Sequence, residues 1–225
     1  MNHPTVALFD VDGTLITSGG AGARAWAHAF DQLYGVPADI DSHSEAGETD
    51  PVVARSTFRG ALGREPSEPE LARLFGAYLY RLSDEVASSP GYRVLDGVVE
   101  CLTSLSVAGV LLGITSGAME GAARVKLSRG DLNRFFVLGG YGSDSPDRTE
   151  LTKAAIAKAS MLHGHDVSAT HVFVVGDTPR DVQAARAAGA VSVAVASGRY
   201  SVDELTATGA DHVLASLAEP FPEPR

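Results

Sequence analysis

Short apolar runs recur along the second half of the chain, and each stops on a small or polar residue. The runs VLLGIT (110–115), RFFVLGG (134–140), HVFVVGD (171–177) and VSVAVAS (191–197) have the length and composition of buried strands. Between them, around 118–129, 149–163 and 179–188, the pattern is helical; GVVECLTSLSVAG (97–109) is amphipathic in the same way. Continuous apolar strands separated by helices predict a parallel sheet covered on both faces, because a strand buried on both sides shows no polar alternation. VALFDV (6–11) has the same character and belongs to that sheet, and HVLAS (212–216) adds a late edge strand.

Residues 18–92 follow a different pattern. GARAWAHAFDQLYG, DPVVARSTFRGALG and SEPELARLFGAYLYRLSDEVAS are amphipathic helices with no convincing strand between them. Ser67 with Glu70 makes a capping box for the third. The chain therefore divides into a discontinuous α/β core, 1–17 and 93–225, and a helical insertion, 18–92. SGGAG (18–22) is a candidate hinge and SSPGYRV (88–94) a candidate return, and no internal repeat or low-complexity tract is visible.

Composition narrows the setting. A chain of 225 residues, 44% apolar and 20% charged, is ordinary for a soluble globular protein and buries a sizeable core without staples. One cysteine, Cys101, excludes an internal disulfide and fits a reducing, cytoplasmic compartment; its helix pattern reads it as a buried structural thiol. A net charge of −10 with no basic patch argues against nucleic-acid binding, and means that any phosphate site needs local cations. No apolar run approaches the ~20 residues that span a bilayer.

The candidate chemistry sits at strand ends. In TVALFDVDGTLIT (5–17), Asp10 and Asp12 face the same side of a strand as it frays into its loop. Aspartate is a poor strand former, so propensity does not explain the pair. Two carboxylates ~4 Å apart at an effective dielectric of ~20 repel by roughly 4 kcal/mol, so they diverge into water or share something positive. Gly13-Thr14 allows a tight turn at the strand end, where open α/β sheets bind ligands. A solvated Asp-rich turn is the alternative.

Two further strand ends favour a site. Thr115 and Ser116 close the strand 110–115, where a hydroxyl and backbone N–H groups suit a phosphoryl oxygen; capping the next helix is the competing role. Asp177 follows Gly176 after an apolar strand, and Asp181 falls in the first turn of the next helix behind Pro179. These carboxylates suit Mg²⁺, which takes one or two of them and keeps waters for a phosphate to replace. The HGH at 163–165 falls at a helix end, where histidines commonly face solvent or the helix dipole rather than a metal.

LFDVDGTLI, ITS and VVGDTPRD, in that order, resemble the first, second and fourth motifs of the haloacid dehalogenase (HAD) superfamily. The insertion after the first motif resembles that superfamily's C1-type α-helical cap on a Rossmann-like, doubly wound parallel core. GSDSPDRTEL and TSGAMEGAARVKL resemble its phosphoglycolate-phosphatase-like branch. The resemblance implies Asp10 as the nucleophile that forms an aspartyl-phosphate, and Asp12 as general acid and then base. It implies Mg²⁺ held by Asp10, the Asp12 carbonyl and Asp177, with Asp181 supporting the metal's waters or the cationic residue. Thr115, with the N–H of Ser116, would bind the phosphoryl group. The third motif usually supplies a lysine; Arg148 occupies the matching place, with Lys153 and Lys126 as the other candidates. In the cap, Thr49 and Asp50 of AGETDP (46–51) would face the substrate or simply cap a helix. The implied function is a Mg²⁺-dependent phosphatase for a small phosphorylated metabolite, monomeric or homodimeric, with no nucleic-acid or membrane partner. A phosphomutase and a non-catalytic phosphometabolite-binding protein are the alternatives.

Overall fold

Val6–Phe9 is apolar at every position and forms β1, buried on both sides at the centre of the sheet. In this computed structural model, which describes residues 5–36, 38–43, 45 and 47–223, five further strands join it: β4 (Leu111–Ser116), β5 (Leu138–Tyr141), β6 (Val172–Gly176), β7 (Val191–Val195) and β8 (His212–Leu214). Their order is β5-β4-β1-β6-β7-β8 and every pairing is parallel. The helices between them are α4 (Val98–Val107), α5 (Glu120–Ser128), α6 (Arg148–His163), α7 (Pro179–Ala187) and α8 (Val202–Ala207). Strand parity divides the two faces. Ala7, Phe9, Leu112 and Ile114 pack in one apolar cluster with Leu102 of α4 and Leu127 of α5. Val6, Leu8, Val172 and Val174 pack with Ala155 and Ala159 of α6 and Ala185 of α7. The architecture is the expected α/β, Rossmann-like parallel sheet covered on both faces.

The chain enters and leaves the helical segment through a two-stranded antiparallel ribbon, β2 (Ile16–Ser18) with β3 (Tyr92–Val94). The helices of that segment are α1 (Ala21–Tyr34), α2 (Asp50–Leu62) and α3 (Glu68–Ser88). α1 buries Ala21, Ala25, Trp26, Ala29 and Phe30, a single stripe at helical spacing. Trp26 stacks on Tyr78 of α3, ring centroids 4.1 Å apart and planes 11° from parallel, while Phe30 meets Phe58 of α2. The α3 cap forms as expected: Glu70 accepts from the Ser67 N–H at 2.9 Å and its hydroxyl at 2.7 Å.

Three details differ from the sequence expectation. The return segment ends in a strand, Tyr92–Val94, which pairs with Ile16–Ser18, so of the hinge segment only Ser18 joins the ladder; the pairing satisfies backbone groups that bare loops would leave open. Only Gly19 and Gly20 adopt the left-handed conformation there; Gly22 lies inside α1. The strand expected from 134 begins at Leu138, because Asn133–Phe135 form a 3₁₀ turn. Cys101 is buried, and that burial pushes its thiol up to about 12, an inert group. Ala46 of the AGETDP loop lies outside the described residues. No helix among the described residues is long and apolar enough to cross a membrane.

The α6–β5 contact leaves no room for a side chain at Gly140: a Cβ there would lie 1.8 Å from the Leu151 carbonyl oxygen. Gly140→Ala therefore forces α6 outward and destabilises the fold by about 1–3 kcal/mol. Urea unfolding of the variant checks this, and an unchanged midpoint would contradict the packing described.

Candidate active site

Asp10 directly follows β1 and shares the parity of Val6 and Leu8, so it faces the side that carries α6 and α7. There it meets the first residue of α6. Arg148 Nη2 lies 3.1 Å from Asp10 Oδ1 and 2.5 Å from Asp181 Oδ1, and Arg148 Nε donates to the same Asp181 oxygen at 2.9 Å. Asp181, in the first turn of α7, is held from its other side by the Thr178 N–H (3.0 Å) and hydroxyl (2.7 Å), which donate to Oδ2. Asp177 directly follows β6, and its Oδ1 accepts from the Thr14 hydroxyl at 3.2 Å.

Asp10, Asp177 and Asp181 are all buried, and each offers a carboxylate oxygen within 4.8 Å of the others. Backbone geometry makes the approach possible. Gly13 turns with φ +84°, and a Cβ on it would lie 2.3 Å from Asp177 Oδ2. Burial raises Asp10 from 3.8 to about 6; Arg148 opposes the rise and Asp181 adds to it. Burial, then the charges of Asp10 and Asp181, raise Asp177 from 3.8 to about 8. Arg148 is nine-tenths buried and stays charged, because Asp181 and Asp10 outweigh its desolvation. One guanidinium among three carboxylates leaves a surplus of buried negative charge. A site with that surplus and that many oxygen donors can hold a metal ion.

Asp12 is separate from this cluster. Its side chain is 43% exposed and its carboxylate pairs with Lys126 of α5, Nζ to Oδ2 2.5 Å. The two aspartates of the first motif thus take different cations, rather than sharing one.

Both aspartates, with Asp177, Lys126 and Arg148, line a cavity of about 450 Å³ at the carboxyl ends of the strands, beneath the start of α2. Asp50 lines it too; its N–H donates to the Gly117 carbonyl at 2.8 Å and its carboxylate accepts from the Met119 N–H at 2.8 Å. Burial raises Asp50 to about 6, against the pull of Lys126. Thr49 instead donates to the Pro146 carbonyl at 3.0 Å and faces a neighbouring cleft. Ser116 lines the cavity, whereas Thr115 is buried with its hydroxyl 3.1 Å from that of Thr152. Of the three cationic candidates, Arg148 reaches Asp10, Lys126 reaches Asp12, and Lys153 pairs with Glu150 at the surface.

Sequence reasoning did not single out Thr14 and Thr178, although each adjoins a motif residue. Arg93 of β3 and Arg199 after β7 also line the cavity, and nothing in their local sequence marks them.

The sequence model of the haloacid dehalogenase-like hydrolases matches residues 7–195. The chain belongs to that family, and within it the chain is an enzyme of the phosphatase type. It is 31% identical to a phosphoglycolate phosphatase of Rhodospirillum rubrum over 98% of this chain and 93% of that one. It is 32% identical to a validoxylamine A 7'-phosphate phosphatase of Streptomyces hygroscopicus subsp. limoneus, over 95% and 94%. Among solved structures, a hydrolase from Pseudomonas syringae superposes with a TM-score of 0.72 at 24% identity, covering 95% and 94% of the two chains. CbbY from Rhodobacter sphaeroides, in complex with phosphate, gives 0.72 at 19% identity over 96% of each.

The raised carboxylates fix how metal-free stability varies with pH. Their folded values lie above the unfolded value near 4, so the folded state binds protons that the unfolded chain releases. Their contribution is complete below about pH 4 and is lost as pH rises through about 6 and 8. In EDTA, Asp177→Asn should raise the melting temperature at about pH 8.5 and do much less at about pH 5.5. Calorimetry at the two pH values measures the difference, and equal effects would contradict the charge surplus.

Proposed function

We propose that the protein is a Mg²⁺-dependent phosphatase acting on a small phosphate monoester through an aspartyl-phosphate at Asp10. The observation that carries this reading is Asp10 itself. It is a buried carboxylate at the central strand end, beside Asp177, Asp181 and Arg148, and open to the cavity under α2. Relatives named for phosphoglycolate and for validoxylamine A 7'-phosphate support a small phosphorylated substrate.

Asp10 and Asp177, with the Asp12 carbonyl, would hold the metal; the buried carboxylates that Asp10 and Asp177 form with Asp181, and their net negative charge, fit a hard divalent cation. Bound there, the ion supplies positive charge that offsets the phosphate and the crowded carboxylates. A carboxylate oxygen of Asp10 attacks phosphorus, and the bond to the leaving oxygen breaks with its electron pair. Asp12 gives that oxygen a proton. Water then attacks the phosphorus of the aspartyl-phosphate, Asp12 accepts a proton from it, and the Asp10 carboxylate is restored. Arg148 orients Asp10 and carries positive charge toward the phosphoryl oxygens. Ser116 and the backbone beside it border the same space, so they are assigned to the phosphoryl group; Thr115 supports them from beneath through Thr152.

In this reading residues 18–92 are the cap, with 1–17 and 93–225 the core. Asp50 lies at the cap's contribution to the cavity, and Thr49 contributes to docking the cap on the core. A single buried thiol and the absence of a spanning helix among the described residues fit a cytoplasmic enzyme.

A panel of phosphorylated metabolites, phosphoglycolate among them, tests the assignment through released phosphate. Turnover should require Mg²⁺, stop with EDTA and vanish in Asp10→Asn. Retained turnover in that variant would reject Asp10 as nucleophile. Transfer of phosphate between two positions of a sugar, with little phosphate set free, would favour a phosphomutase. Tight ligand binding without turnover across the panel would favour a binding protein.

Metal binding has its own readout. Mg²⁺ at 100 times its Kd stabilises a one-site protein by about 2.7 kcal/mol, visible as a raised melting temperature. Asp177→Asn should lose most of that rise; an equal rise in the variant would place the ion elsewhere.

A further inference from the structure

Lys126 has a position that the metal cluster does not explain. Its side chain is 8% exposed, its ammonium lies 2.5 Å from Asp12 Oδ2, and it does not pair with Asp10, Asp177 or Asp181. Arg148 already answers that cluster. Burying an ammonium costs several kcal/mol unless the surroundings repay it. The surroundings here come from both parts of the molecule: Asp12 from the core turn, Asp50 from the start of α2 and Tyr78 from α3 all act on its charge.

We propose that Lys126 is a positioning residue for Asp12, anchoring Oδ2 so that Oδ1 is presented to the leaving group. The inference rests on the reading of Asp12 as the group that moves the proton. Asp12 stands on a turn and is 43% exposed, so without a partner its carboxylate would rotate freely. An ammonium can only donate, so it engages one oxygen whether the carboxyl carries its proton or not. The other oxygen then exchanges the proton from a fixed position, which is what general acid–base catalysis needs. The helical segment takes part, because Asp50 is held against the loop before α5 by the Gly117 carbonyl and the Met119 N–H. The ammonium is therefore enclosed, and Asp12 aimed, when that segment is docked.

Leaving-group dependence separates this role from a structural tie between α5 and the turn. An alkyl phosphate needs a proton on its departing oxygen, whereas p-nitrophenolate departs without one. Lys126→Met should lower the rate of leaving-group release from a primary alkyl phosphate, read in a single turnover before Asp12 acts as base, by about 10²-fold, and kcat with it, with KM little changed. The loss on p-nitrophenyl phosphate should be at least about tenfold smaller. Lys126→Arg should recover part of the lost kcat on the alkyl ester. In an Asp12→Asn background, Lys126→Met should cost nothing further. Equal losses on both esters, a loss carried by KM, or a full additional loss in the double variant would each overturn the proposal. If Lys126→Met does not fold, Lys126→Gln and Lys126→Arg carry the same comparison. A wild-type chain that hydrolyses both esters while Lys126→Met loses equally on each sinks only this inference. A wild-type chain that hydrolyses neither sinks the phosphatase reading with it.

Discussion

Buried negative charge at the carboxyl ends of β1 and β6 is the constraint around which this molecule is arranged. Three carboxylates within 4.8 Å, all out of solvent, repel one another when ionised by roughly 3–4 kcal/mol per pair at an effective dielectric of ~20. The fold holds them there with specific devices. The start of α7 receives Asp181, whose Oδ2 accepts from Thr178 in a capping box, so backbone and hydroxyl donors meet the charge at the favourable end of a helix. Gly13 lets the first loop pass beside Asp177. α6 begins on the residue that delivers the guanidinium. What these donors do not balance is left as a standing attraction for a cation.

The parallel core was legible because both of its signals are local. Strands buried on two faces read as unbroken apolar runs, and Asp10, Asp177 and Asp181 stand at fixed offsets from their ends. Parity along β1 points Asp10 toward α6, and one-turn spacing brings Asp181 back toward β6. The helices of 18–92 were legible for the same reason, since Trp26 and Phe30 fall on a single stripe of α1. What the pattern could not show was pairing across the chain. Asp12 and Lys126 are 114 residues apart, and strand parity alone suggested that Asp12 would join Asp10. The turn after β1 breaks that parity: Gly13 donates to the Ile16 carbonyl, while Leu15 and Ile16 both donate to Val11.

The contact between the helical segment and the core is polar where it borders the cavity. Asp50 and Thr49 bind backbone groups of core loops, Arg148 donates to the Gly47 carbonyl at 3.2 Å, and Arg180 pairs with Glu45 and Glu48. Hydrogen bonds and part-exposed ion pairs each contribute about 1 kcal/mol or less, unlike an apolar seam of the same area. Away from the cavity the contact is apolar: Trp26 and Tyr78 stack within the segment, and the buried residues of α1 and α3 belong to the same cluster as Phe9 of β1 and Leu127 of α5.

Arginine at position 148 suits the same geometry. Its guanidinium serves three partners at once: Asp10 and Asp181 through Nη2, Asp181 again through Nε, and the Gly47 carbonyl through Nη1. These partners lie on the central strand, on α7 and on the loop leading to α2. A lysine ammonium is a point donor on a flexible stem and could hold the carboxylates, but it has no fixed fork to reach the loop in the same plane. The arginine therefore ties the charge cluster to the docked position of the helical segment, as Lys126 does from the other side through Asp12 and the field of Asp50. Two cations lining one cavity thus answer two separate acidic groups, and each also feels a residue of the helical segment, Gly47 for Arg148 and Asp50 for Lys126.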